Sequence, residues 1–365
     1  MCRRVLALCL LAVSAVRAVA APPTAPVPNA GSELQLLTPP LQAPPKVAPR
    51  LDVPAEPDKV PESSDTTRVT VHALVIEGAT LFPVARLLQE SGFVADQALT
   101  LNDLRALAER ITRFYRQQGY FVAKAVLPAQ TVEQASVRVQ VIEGRYGQVL
   151  VRNATRVETP VLTGVLGKAG TDQPIELSAL ERGLLLLNDL PDVIGRGTLV
   201  AGQQPGTSDL VLEVEPLPRL AGSVDADNNG GRYTGTRRIG ATVFTNELFG
   251  VGDTESLRVQ QSLVGLTNAH ATYQVQAGEA KVGIAYTEVR YRLVDTFTSL
   301  QASGEALVGS AYAIYPVLRS RTDNLNLQVN WDRKAFHDVV GSTFTSTNKR
   351  AQVWATSLNG NAQVY

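Results

Sequence analysis

The sequence predicts a chain of mixed class, α+β and then all-β: two small domains in tandem followed by a long antiparallel region. Three observations carry this. A pattern of about 75 residues, in the order β-α-α-β-β, occurs twice between residues 69 and 217. After Pro216 and Pro218 the apolar period shortens to two and keeps that value through the rest of the chain. Ahead of both lies a proline-rich stretch with no period at all.

The clearest element is the stretch from Thr100 to Gly144. Leu101, Leu104, Leu107, Ala108, Ile111, Phe114 and Tyr115 recur at three- and four-residue steps, which puts them on one helix face. Thr100 and Asp103 have the spacing of a capping box, and Gly119 is placed to end the helix in a left-handed turn. The β-rich run Tyr120–Leu127 follows, Pro128 interrupts it, and Val137, Val139 and Val141 then alternate with Arg138 and Gln140. The second copy has the helix Leu177, Leu180, Leu184 and Leu187, a strand, and the alternating Leu210, Leu212 and Val214. Each long helix is preceded by a short strand and a shorter helical pattern, VTVHALVIEGATLFPVARLLQ in the first copy and YGQVLVRNATRVETPVLTGVL in the second.

In the last region Leu257, Val259 and Leu263 alternate with Arg258, Gln260 and Ser262. Ala271, Tyr273, Val275 and Ala277 alternate with Thr272, Gln274 and Gln276. Leu325, Leu327, Val329 and Trp331 alternate with Asn324, Asn326, Gln328 and Asn330. Long segments, apolar on one face and rich in Gln, Asn, Arg and Ser on the other, fit a transmembrane β-barrel with a wet lumen better than a soluble sandwich. About eight such segments fit between 218 and 365. Between 282 and 293 the alternation changes phase near Thr287 and Glu288, where a bulge is expected.

Several motifs in order, LTLNDLRALAERIT, FYRQQGYFVAKAVLPAQ, ALERGLLLLNDLPDV, DNNGGRYTGTRR and YPVLRSRTDNLNL, resemble the outer-membrane transporters of two-partner secretion, the hemolysin-activator or filamentous-hemagglutinin transporter type. The resemblance runs from about Val69 to the end. It implies two POTRA domains, at 69–143 and 144–217, and at 218–365 the N-terminal part of an antiparallel transmembrane barrel, in a chain truncated within that barrel. It also implies localisation in the outer membrane with the POTRA domains in the periplasm.

The N-terminus reads as a secretory signal over 1–20: Arg3 and Arg4, an apolar run from Val5 to Val16, and Ala18-Val19-Ala20 for cleavage. That run is too short to span a bilayer as a stable helix. Both cysteines, Cys2 and Cys9, fall inside it, so the mature chain is expected to hold no thiol or disulfide. Residues 21–68 contain more than half of the 21 prolines and read as a disordered, semi-rigid linker. Only Ser32–Leu37 could form a turn of helix, so a flexible tether is expected rather than the pore-plugging helix the resembled family can carry.

Composition and motifs narrow the function. With 34 basic and 34 acidic side chains and no basic stripe, nucleic-acid binding has no electrostatic support. No P-loop, nucleophile elbow or dinucleotide fingerprint occurs, so no enzyme activity and no cofactor are expected. Asp225, Asp227 and Asn229 match the first half of a calcium loop, but Thr236 stands where a bidentate Glu is needed, and a polar turn is expected. His72, His270 and His337 lie in separate segments without metal spacing, so no metal site is expected. Arg319 and Arg321 read as solvated loop charges.

The resemblance implies a translocator that exports a β-rich exoprotein of hemolysin or adhesin type through the barrel, with outer-membrane lipid as its other partner. An assembly factor for other barrel proteins, or a non-transporting periplasmic binding module, are the alternatives. Recognition is implied on the first module. The residues expected to meet an extended segment of the exoprotein are the edge strand Tyr120, Phe121, Val122, Ala123, Lys124, Ala125, Val126 and Leu127.

Overall fold

The structure is a computed structural model, and it describes residues 27–35, 51–52, 67–131, 135–167 and 169–363. The expected signal peptide and most of the proline-rich segment lie outside the described residues.

Two described pieces of that segment have regular structure. α1 is the helix Ala30–Gln35, and β1 is the two-residue strand Leu51–Asp52. Asn29 starts α1 by accepting from Gly31 N and Ser32 N through its side chain. The described helix, Ala30–Gln35, overlaps the expected Ser32–Leu37 and begins two residues before it.

Module 1 follows as β2 (Val69–Val71), β3 (Ala73–Glu77), α2 (Val84–Ser91), β4 (Gln97–Leu99), α3 (Leu101–Gln117), β5 (Lys124–Val126) and β6 (Ser136–Ile142). Its sheet has the order β3-β6-β5, and β2 and β4 pair separately. The capping box at α3 is present: Asp103 N donates to Thr100 Oγ1 at 3.2 Å and Thr100 N donates to Asp103 Oδ2 at 2.8 Å. Gly119 takes φ 92°, a conformation that costs glycine nothing and turns the chain away from the helix axis. The apolar face of α3, with Leu104, Leu107, Ile111, Phe114 and Tyr115, buries against Val137, Val139 and Val141 of β6.

Module 2 comprises β7 (Arg145–Asn153), α4 (Thr159–Gly164), α5 (Leu177–Asn188), β8 (Val193–Ala201) and β9 (Thr207–Pro216). Leu180, Leu184, Leu187, Leu210 and Leu212 form the centre of a second, separate core. The sheet order is β1-β8-β9-β7, so the strand from the proline-rich segment covers the β8 edge.

The remaining eight strands, β10 (Leu220–Asp227), β11 (Arg238–Asn246), β12 (Thr254–Ser262), β13 (Leu266–Ala277), β14 (Ala280–Arg292), β15 (Ala302–Arg319), β16 (Asp323–Val340) and β17 (Thr345–Ala362), form one antiparallel sheet in sequential order. Its burial is the inverse of a soluble protein's. Val224 and Trp354 on the outer face are 77% and 72% exposed, while Gln260 and Ser262 on the inner face are each 2% exposed. Apolar side chains facing out and polar ones facing in are what a hydrocarbon exterior and a wet interior require.

No bulge occurs at Thr287 and Glu288: β13 and β14 pair in one register from Leu266↔Tyr291 to Ala277↔Ala280. The change of phase has another cause. Beyond Tyr286 the outer face turns charged (Glu288, Arg290, Arg292), and the inner face turns apolar (Val289, Tyr291, Leu293) where α1 packs against it. The register shift that does occur lies between Pro316 and Leu318, at the end of β15, where proline removes a ladder donor.

Candidate functional site

The residues expected to form one open edge strand have several different placements. Only Lys124–Val126 is a strand, while Phe121 and Val122 form a turn. Tyr120 packs edge-on against Phe82 and Tyr115, with ring centroids 5.8 and 6.3 Å away. Phe121 and Val122 reach across and pack on the core of module 2. Ala123 and Ala125 are buried in module 1, and Leu127 packs on the same core. β5 is an edge of its sheet, as expected, but its outward donor is occupied: Ala125 N donates to Thr112 Oγ1 at 2.9 Å. Ala123 N donates to Tyr120 O, so that position is closed as well. The β-rich composition was legible in the sequence. The hydroxyl on the facing helix that blunts the edge was not, because nothing local links Thr112 to Ala125.

Just past β5 the surface opens. A cavity of about 460 Å³ is lined by Val69, Leu99, Leu101, Leu104 and Leu127, with Arg105 at its side. Pro128 stops the ladder, and the Gln130 side chain replaces a strand there. Its Nε2 donates to Arg138 O and its Oε1 accepts from Arg138 N, both at 2.8 Å. Sequence reasoning missed this groove because its walls come from both ends of module 1.

The two modules are joined almost without linker. Glu143 and Gly144 alone separate β6 from β7. Glu143 is buried and accepts from Leu81 N at 2.7 Å, Thr80 N at 2.6 Å and Tyr115 Oη at 3.0 Å, and from the Thr80 hydroxyl. Burial alone would raise its carboxyl pKa, but these donors outweigh that and hold it below the usual carboxylate range. The same burial, together with Glu143, pushes the Tyr115 hydroxyl well above its ordinary value.

Module 2 is clamped to the sheet by ion pairs. Arg319 binds Asp189 with two nitrogens, at 2.7 and 2.8 Å. Arg182 meets Glu279 at 2.8 Å, and Arg321 meets Glu181 at 2.9 Å. The expectation of solvated loop charges is corrected at Arg319, which is largely covered and bound by Asp189 just past α5, while Arg321 is an exposed loop charge that also meets Glu181 on α5. The turn after β11 also docks here, with Glu158 N donating to Gly250 O.

On the inner wall, Arg258 binds Asp225 at 2.8 and 3.0 Å and Arg238 binds Asp227 at 2.9 Å. The carboxylates that suggested half a calcium loop thus face guanidinium groups. Among the described residues no group of three or more His, Cys, Asp or Glu is placed to hold a metal ion. The histidines stay apart, His72 on Asp96, His270 on Thr287 and His337 on Asn348. α1 lies on this wall at the end far from module 2. Ala30 N donates to Asp338 Oδ1 at 2.9 Å, and Thr234 Oγ1 donates to Glu33 at 2.9 Å.

This architecture matches known proteins in both halves. Residues 69–144 match the family model of the ShlB-type POTRA domain, and residues 206–363 match that of the haemolysin secretion/activation protein ShlB/FhaC/HecB. The chain belongs to the two-partner secretion transporter family. Over 72% of its length it is 27% identical to the heme/hemopexin transporter protein HuxB of Haemophilus influenzae, of which it covers 47%. Over 54% it is 26% identical to the outer membrane transporter CdiB of Dickeya dadantii, covering 36% of it. Among solved structures, CdiB from Escherichia coli superposes with a TM-score of 0.67 at 20% identity, over 84% of this chain and 59% of that one. The chain spans about half the length or less of these curated relatives. As in the family, it is an outer-membrane protein with its POTRA modules in the periplasm.

Proposed function

We propose that this two-partner secretion transporter recognises a β-rich exoprotein in the periplasm and passes it through the barrel to the cell surface. The observation that carries the reading is the pairing of an accessible apolar groove on module 1 with a sheet that is polar inside and apolar outside. Recognition belongs to the groove beside Leu99, Leu104 and Leu127, just past the blunted β5 edge. The chain performs no catalysis: it holds and guides a polypeptide, and outer-membrane lipid is its other partner. The relatives' names fit this role, being transporters of hemolysin, of heme/hemopexin and of the CdiB type.

Deleting the gene should remove one large protein from the culture medium, as read by mass spectrometry of the secreted fraction. Complementation should restore it, and a complementing Leu127→Asp copy should not. An unchanged secreted fraction would overturn the reading. A change confined to the levels of other outer-membrane barrels would favour an assembly role instead.

A further inference from the structure

We propose that a row of carboxamides on the inner wall of β13, β16 and β17 is a binding track for the main chain of an extended polypeptide. This inference rests on the transport reading and specifies how the lumen holds its cargo.

The first observation is the row itself. Asn324, Asn326, Gln328 and Asn330 are successive inward positions of β16, and Gln274 and Gln276 face the same space from β13. Asn324, Asn326, Gln274 and Gln276, together with Asn361, border a cavity of about 490 Å³ at the end of the sheet beside module 2, and Gln328 and Asn330 continue the row along β16 beyond it. Side chains on one face of a strand recur about every 6.7 Å, twice the rise per residue. An extended peptide laid along β16 presents its same-side N–H and C=O groups at that same interval. The row and an extended backbone are therefore commensurate, whatever the sequence of the passing segment.

The second observation is that this protein already uses carboxamides to hold main chain. Gln130 clasps the N–H and C=O of Arg138, both at 2.8 Å. Asn188 does the same to Gly195, accepting from its N–H and donating to its C=O, both at 3.0 Å. Each carboxamide has two donor hydrogens and two acceptor lone pairs. On the wall, Asn324 donates to Asn361 at 3.2 Å and Gln328 to Asn330 at 3.0 Å, which leaves bonding capacity on every member.

The third observation is that charge at this entrance is balanced. Two cations, Lys281 and Arg319, and two acids, Asp189 and Glu279, line the cavity, and Arg319 is bound by the Asp189 carboxylate. A cargo residue of either sign would meet neither a strong trap nor a strong barrier. Single hydrogen bonds worth about 1 kcal/mol net suit a track that must also let go.

The probe is a Gly-Ser repeat peptide carrying a benzophenone at its centre, applied to the full chain in detergent. Polysarcosine of equal length and label is the comparison, since its N-methylated backbone has no N–H to donate. The track predicts adducts on the inward positions between 274 and 276 and between 324 and 330. It predicts binding weaker by about tenfold for polysarcosine, the loss of one to two net hydrogen bonds. It also predicts a similar loss for the combined Asn324→Leu, Asn326→Leu, Gln328→Leu and Asn330→Leu variant. Equal affinity for the two peptides on the unmodified protein, no binding of either, or adducts confined to 67–217 would overturn it. Because export is read separately in the secreted fraction, failure of the track with export intact is distinct from failure of the transport reading.

Discussion

The two POTRA modules share one plan and have opposite fates at their edges. In module 2 β1 pairs with the middle of the β8 edge at Gly197 and Thr198, leucine supplies most of the core, and ion pairs fasten α5 to the barrel turns. In module 1 the β5 edge is three residues long, one donor is closed by Thr112, and an apolar groove opens beside it. One module is built into the structure around it, while the other keeps an accessible apolar surface. The difference teaches that a module with blunted edge donors can still offer a docking surface through side-chain pockets, and module 1 keeps the pockets.

The largest test of the comparison is in the cores. Leu107→Asp puts an unpaired charge into module 1 and should cost about 4 kcal/mol or more, while Leu184→Asp should do the same in module 2. Limited proteolysis during melting should show module 1 cut alone in the first variant. In the second, the barrel end should loosen together with module 2.

The junction comes next. Glu143→Ala leaves the buried donors of Thr80, Leu81 and Tyr115 without an acceptor and should destabilise the module pair by about 2 kcal/mol. Because the folded-state pKa of Glu143 is depressed, its contribution is complete above the unfolded value of about 4.5. It is lost as pH falls through the lower folded value. Denaturant midpoints should therefore converge between parent and variant in acid. A constant gap would show that the carboxylate is not the source.

A smaller effect is expected at the clamp. Asp189→Asn weakens the two-nitrogen contact with Arg319, which is partly exposed, and should cost about 1 kcal/mol. Faster hydrogen exchange at the end of α5, with no change in module 1, is the expected signature. The smallest effect is at His72, whose pKa is raised above 6.5 by its hydrogen bond to Asp96. In an NMR titration Asp96→Asn should return it toward the ordinary value without altering groove binding.

Much of the fold was legible because local chemistry wrote it. Thr100 and Asp103 at cap spacing, Gly119 at a left-handed position and the period-two alternation of β12, β13 and β16 each follow from neighbours in sequence. The site was legible only in part. Tyr120–Leu127 was read as one strand from composition, yet Phe121 and Val122 serve the other module, and that depends on where module 2 packs. The groove joins Val69, Leu99 and Leu127, which no local pattern connects. The phase change in β14 was visible, but its cause, α1 lying on Val289 and Tyr291, comes from more than 250 residues upstream.

The central claim is that recognition belongs to the groove of module 1 and not to the covered edge of module 2. Hydrogen exchange of the full chain, with and without the N-terminal region of the secreted protein lost on gene deletion, tests it most directly. The account predicts new protection at Leu99–Arg105 and Leu127–Gln130 and none along Val193–Ala201. Protection confined to Val193–Ala201 would contradict it.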